Sequence, residues 1–148
     1  MIKTDLTTTA ILRQVDLVHR EIDDLEKNVG RICQKHDLNV LDYLILDELG
    51  EVSEGARNEQ LAHKLHVSSA LFSIRLKRLL TAKLIQIETD VKDRRVHRIL
   101  LTEAGELCLD EIANQIEDEA PLTAAFDELR SEFELATKVI DKSHNAIA

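Results

Sequence analysis

A chain of 148 residues with 44% hydrophobic residues, four glycines and one proline has room for one well-cored domain, 1–148, and not for two independent ones. No run approaches the roughly 18 apolar residues of a membrane span, and Cys33 and Cys108 lack the close spacing of a zinc or dithiol site, so a soluble cytoplasmic protein without membrane contact is expected. The net charge of −9 weighs against a polyanionic partner, but residues 57–98 hold ten Lys or Arg against four acids, a local +6 that leaves −15 elsewhere.

The first element is a long amphipathic helix, about 8–36. Ile11, Val15, Val18, Ile22, Leu25, Val29 and Ile32 recur at alternating spacings of four and three, opposite Arg13, Asp16, Arg20, Asp23, Asp24 and Lys27. Leu41 to Leu49 reads as a short apolar helix, and Gly50 to Gly55 as a turn-rich break. Asn58 is expected to cap a short helix through His66. After a turn at His66-Val67, Ser68 caps a helix to about Ala82.

The period then changes from helix to strand. Ile85 to Glu88 and Val96 to Ile99 alternate as a hairpin around the polar tip Thr89 to Arg95. Thr102 caps a further helix carrying Leu107, Leu109, Ile112 and Ile116. After Pro121 a second heptad-like stripe follows, formed by Leu122, Phe126, Leu129, Phe133, Ala136 and Ile140. Each stripe could pack on its own core. Because the basic segment has apolar residues enough for itself, a shared homodimer interface is expected, with Ile11, Val15, Val18, Ile22, Leu122, Phe126, Leu129 and Phe133 on it.

Helix, turn, helix and hairpin in this order make a winged helix-turn-helix, within an otherwise mainly α chain. In the helix from Ser68, the residues Phe72, Leu76, Leu79 and Leu80 suit a core. Ser68, Ser69, Ala70, Ser73, Ile74 and Lys77 form the candidate reading face, flanked by Arg75 and Arg78. Small side chains near the N-terminus permit close approach to base edges, and cations further along suit phosphates. At the hairpin tip Lys92, Arg94 and Arg95 can enter a narrow minor groove, while Asp93 is expected to orient a neighbouring guanidinium. An ordinary amphipathic surface helix would look similar, and the charged tip is what favours double-stranded DNA as partner.

These residues resemble the MarR family of regulators. The resemblance runs through Leu61-Ala62-His63-Lys64-Leu65-His66-Val67-Ser68, then Leu79 and Leu84-Ile85, then Asp93-Arg94-Arg95 and Leu101-Thr102-Glu103-Ala104-Gly105. It implies a DNA-binding winged helix over about 41–102, dimerisation helices over about 8–36 and 103–142, and Asp93 with Arg95 as the wing pair. Three positions depart from the family pattern. His66 and Lys83 stand where Gly is common, so the Lys83 corner is expected to be rebuilt or slightly strained. Arg75 stands at a usually aliphatic position, where it would add a phosphate contact or lie along the surface with its stem buried.

The resemblance also implies a small-molecule effector, whose identity the residues do not give. Cys33 and Cys108 allow a redox switch, although isolated cysteines are usually small buried hydrophobes. No metal, cofactor or catalytic constellation is legible, so an enzyme is not expected. The expected function is a sequence-specific transcription regulator, a repressor on a pseudo-palindromic operator. The alternative is a winged-helix protein-interaction module without DNA binding, which the acidic total charge would suit. A purely structural coiled-coil dimeriser would leave the helix-turn-helix unexplained.

Overall fold

The computed structural model describes the backbone of residues 2–147, with the side chains of residues 8–119 and part of those beyond. In chain order the elements are α1 (Ile2–Gln34), α2 (Val40–Gly50), α3 (Asn58–Lys64), α4 (Ser69–Thr81), β1 (Ile85–Thr89), β2 (His97–Leu101), α5 (Glu103–Asp118) and α6 (Ala120–Ile147). Two compact units result, Met1–Val29 with Ile116–Ala148, and Gly30–Gln115. Among the described residues no helix is long and apolar enough to cross a membrane.

Local chemistry accounts for most helix ends in the Gly30–Gln115 unit. Asn39 caps α2 by accepting from Asp42 N at 2.8 Å, while Asp42 Oδ2 accepts from Asn39 N at 2.9 Å, a reciprocal capping box. Ser68 Oγ accepts from Leu71 N at 3.2 Å and starts α4. Asn58 does not cap α3. The cap is Arg57, with extended backbone and no side-chain bond, because Ala56 is already tied to Ile99 and so fixes where the chain enters the helix.

Three helices close in the same way. Asp37, His66 and Lys83 have φ of 58°, 54° and 61°, and the residue after each donates its N–H back five residues: Leu38 to Cys33, Val67 to Ala62 and Leu84 to Leu79, each at 3.1 Å. This is the Schellman closure, usually built on glycine. The Lys83 corner therefore keeps the left-handed turn, and a lysine carries its conformational cost.

The sheet is one antiparallel hairpin in which Ile85 pairs with Leu101 and Thr89 with His97. β1 begins at Ile85 as the alternation predicts and ends one residue later, while β2 begins one residue later and ends two residues later. Ala56 adds an isolated bridge to Ile99, and Gly55 precedes it at φ 82°, where a Cβ would lie 2.8 Å from the Ile99 carbonyl. Thr102 stitches the hairpin base: its Oγ1 donates to Lys83 O at 2.7 Å and accepts from Gly105 N at 3.0 Å, capping α5. The core of this unit gathers Ile32, Leu38, Ile45, Leu46, Leu49, Leu61, Phe72, Leu76, Leu79, Ile85, Ile99 and Ile112.

In the other unit, Ile11, Val18, Ile22 and Leu129 are half-buried, whereas Leu12, Val15, Phe133 and Leu135 are exposed. The side chains of Leu122 and Phe126 lie outside those described. Gln14 Oε1 and Glu132 Oε2 are buried, and among the described residues neither has a hydrogen-bond partner.

Candidate nucleic-acid interface

Helix α4, the candidate reading helix, divides into two faces. Phe72, Leu76 and Leu79 are buried, which anchors one side by the burial of large apolar surfaces. Ser68, Ser69, Ala70, Ser73, Ile74, Lys77 and Arg78 are exposed, and Ile74 keeps 61% of its surface in solvent. An apolar side chain standing so far out on an otherwise polar face is suited to contact with a thymine methyl.

Arg75 is the exception, and neither expected placement holds. Its Nε donates to Asp42 Oδ1 at 2.7 Å and its Nη2 to Asp42 Oδ2, a side-on bidentate pair. Asp42 is fully buried and the Arg75 side chain is only 13% exposed, so this guanidinium is spent on the interior and not offered to phosphate. Hydrogen bonding to Asp42, ahead of the opposing effect of burial and the added attraction of the carboxylate charge, holds the arginine charged above its ordinary range. Sequence reasoning did not select Asp42. The available signal was the Asn39-x-x-Asp42 spacing, which marks a helix start but not a partner in α4.

The wing tip is ordered by its own acids. Asp90 Oδ1 accepts from Lys92 N at 2.8 Å, and Asp90 N donates to Val96 O at 2.9 Å. Asp93 Oδ1 accepts from Arg95 N at 3.1 Å and from Arg95 Nε at 3.3 Å. Two carboxylates, each fastening one backbone N–H, turn a short polar loop into a defined platform, and the Arg95 side chain still stands 92% exposed.

Other cations of the basic segment also have internal acid partners. Lys64 pairs with Glu48 at 2.5 Å and Arg98 with Asp90 at 3.8 Å; Arg78 has no acid and donates instead to the backbone carbonyl of Asp37 at 3.2 Å. Among the described residues Arg57, Lys77, Arg78, Lys83, Lys92 and Arg94 have no carboxylate partner, so the uncommitted charge is spread from the start of α3 through α4 to the wing tip. Between α3 and the wing runs an open groove of about 480 Å³ whose lining includes Arg57, Asn58, Ile87, Arg95 and His97. Arg57 is thereby brought to the same concavity as Arg95, a pairing with no sequence signal beyond shared charge.

Solved structures of similar shape decide the architecture. The fold is that of the MarR-family regulators. A MarR family transcription regulator superposes at TM-score 0.73 with 22% identity over 95% of this chain and 94% of that one. AbsC, a MarR family transcriptional regulator from Streptomyces coelicolor, does so at 0.70 with 25% identity over 93% and 94%. A mutant MarR from E. coli complexed with operator DNA gives 0.69 with 14% identity over 90% and 95%. No family model matches the chain, and no curated protein is significantly similar to it. Within this MarR-type frame α4 is the second helix of the helix-turn-helix, and the 90–96 loop is the tip of the hairpin wing.

The two thiols lie in the same unit. Cys33 is buried and its thiol is pushed up to about 11, first by burial, then by the Asp42 carboxylate and by Cys108. Burial and then Glu111 also raise Cys108. Both groups are held in the protonated form, which is the poor nucleophile.

Proposed function

We propose that the protein is a sequence-specific, DNA-binding transcription regulator that acts as a homodimeric repressor on a pseudo-palindromic operator and is released by a small effector. The observation that carries the reading is the wing: Lys92, Arg94 and Arg95 stand on a loop whose backbone Asp90 and Asp93 fasten, beside a helix presenting Ser69, Ala70, Ser73, Ile74 and Lys77 to solvent. Cations on a projecting rigid loop gain most where the minor groove concentrates negative potential. The fold shared with a regulator solved on operator DNA supports the same reading.

The dimer rests on the other unit. The exposed Leu12, Val15, Phe133 and Leu135, together with the buried acceptors of Gln14 and Glu132, suit a surface completed by a second copy. Ile11, Val18, Ile22, Leu122, Phe126 and Leu129 belong to the same proposed interface. Two reading heads related by a two-fold axis would meet half-sites about 34–36 Å apart.

The test is a titration of wild type and of the Arg94→Ala, Arg95→Ala double variant against duplexes from a random-sequence selection, at several salt concentrations. The expected result is nanomolar binding by the wild type and a log–log salt slope that falls by about 0.9 for each phosphate contact the variant loses. Equal affinity and slope in both proteins would remove the wing from the interface. Failure of the selection to enrich any duplex would favour a protein-interaction module.

A further inference from the structure

A buried carboxylate needs hydrogen bonds in place of water, and Asp42 obtains all of those described from Asn39 N and the Arg75 fork. The carboxylate also sits at the N-terminus of α2, where the aligned peptide dipoles favour negative charge. Engagement through both Nε and Nη2 fixes the plane of the guanidinium, which a single-point contact would not do. Three residues on, Arg78 Nη2 donates to the carbonyl of Asp37, the residue that closes α1 in the left-handed conformation.

Residues three apart on a helix lie on one side, one turn from each other. The helix α4 is thus tied at two heights to a single short segment, 37–42. Apolar contacts through Phe72, Leu76 and Leu79 are non-directional and tolerate some rotation, whereas a bidentate pair and a carbonyl bond do not. The opposite face carries Ser69, Ser73 and Lys77 in solvent. With side-chain tips about 5–6 Å from the helix axis, a roll of about 10° moves them by about 1 Å, enough to lose a hydrogen bond to a base edge.

Resting on the DNA-binding reading, we propose that Asp42 and Arg75 are positioning residues: with the Arg78 bond to Asp37 they set the roll of the reading helix and so determine which base sequence it prefers. Arg75 then contributes to discrimination between sequences without touching DNA.

The experiment uses the full chain, the duplex a random-sequence selection enriches with wild type, and a scrambled duplex of equal length. Affinities are measured over a salt series for wild type, Arg75→Lys, Asp42→Asn and the apolar pair Asp42→Leu with Arg75→Met. The expected outcome is an unchanged salt slope, a discrimination ratio reduced about tenfold, the size of one lost base contact, and shifted base preferences on reselection. Arg75→Lys keeps the charge and carries the test should Asp42→Asn fail to fold. A slope reduced by about 0.9 with discrimination intact would make Arg75 a phosphate contact and overturn the proposal. Unchanged slope and discrimination would overturn it too, leaving the pair a role in folding alone. A wild type for which no duplex is enriched overturns the DNA-binding reading together with this inference.

Discussion

Two aspartate–arginine pairs use the same chemistry for opposite ends. Asp42 and Arg75 join α2 to α4 with side chains 0% and 13% exposed, whereas Asp93 and Arg95 sit on the wing at 46% and 92%. In the interior the carboxylate takes both ends of the guanidinium fork, and the cation is consumed. On the wing the carboxylate spends its strength on the Arg95 backbone N–H and a long side-chain bond, and the cation stays free. Solvent makes the difference: water screens and competes for the exposed pair, while the buried pair has no alternative partner. Positive charge counted along the segment therefore overstates the charge that can face a ligand, and the location of each acid decides which arginines remain available.

Removing the acid from each pair separates the two most sharply. Asp42→Ala leaves a largely buried guanidinium unpartnered and is expected to cost about 3–5 kcal/mol in urea unfolding. A loss below about 1 kcal/mol would mean that Arg75 reaches water, and the interior half of the comparison would fail. The neighbourhood of Asp42 can also be read through Cys33. Its thiol rises from 9.0 to about 11 on folding, so the stability gained by keeping it neutral is present below about pH 9 and is lost as pH climbs through about 11. Two pH units correspond to about 2–3 kcal/mol, and Cys33→Ala should remove that part of the alkaline loss in unfolding curves recorded at pH 8 and pH 11. Identical pH dependence in the two proteins would place the thiol in an ordinary environment. The smallest effect belongs to the wing, where Asp93→Ala should change global stability by less than about 1 kcal/mol. It should still weaken binding to the enriched duplex, because the loop that presents Arg95 loses its backbone anchor. A large drop in melting temperature would show the wing pair to be structural after all.

Features set by neighbours in the chain were legible in advance. Ser68 and Thr102 start their helices by bonding N–H groups three residues away, and the change of apolar period at Ile85 marks the hairpin because side chains repeat every two residues in a strand. Asp93 acts on Arg95 within the same turn. The Asn58 cap failed for a reason that is not local: pairing of Ala56 with Ile99 sets the entry into α3 one residue earlier.

The sequence by itself determined the periodicities, most caps and the charge of the wing, since each arises from interactions between residues a few positions apart. Only the tertiary structure decided that Arg57 shares a groove with Arg95 and that Arg75 turns inward. A side chain's charge carries no direction in the sequence, and the carboxylate that claims Arg75 lies 33 residues away, within bonding distance only once α2 and α4 have packed.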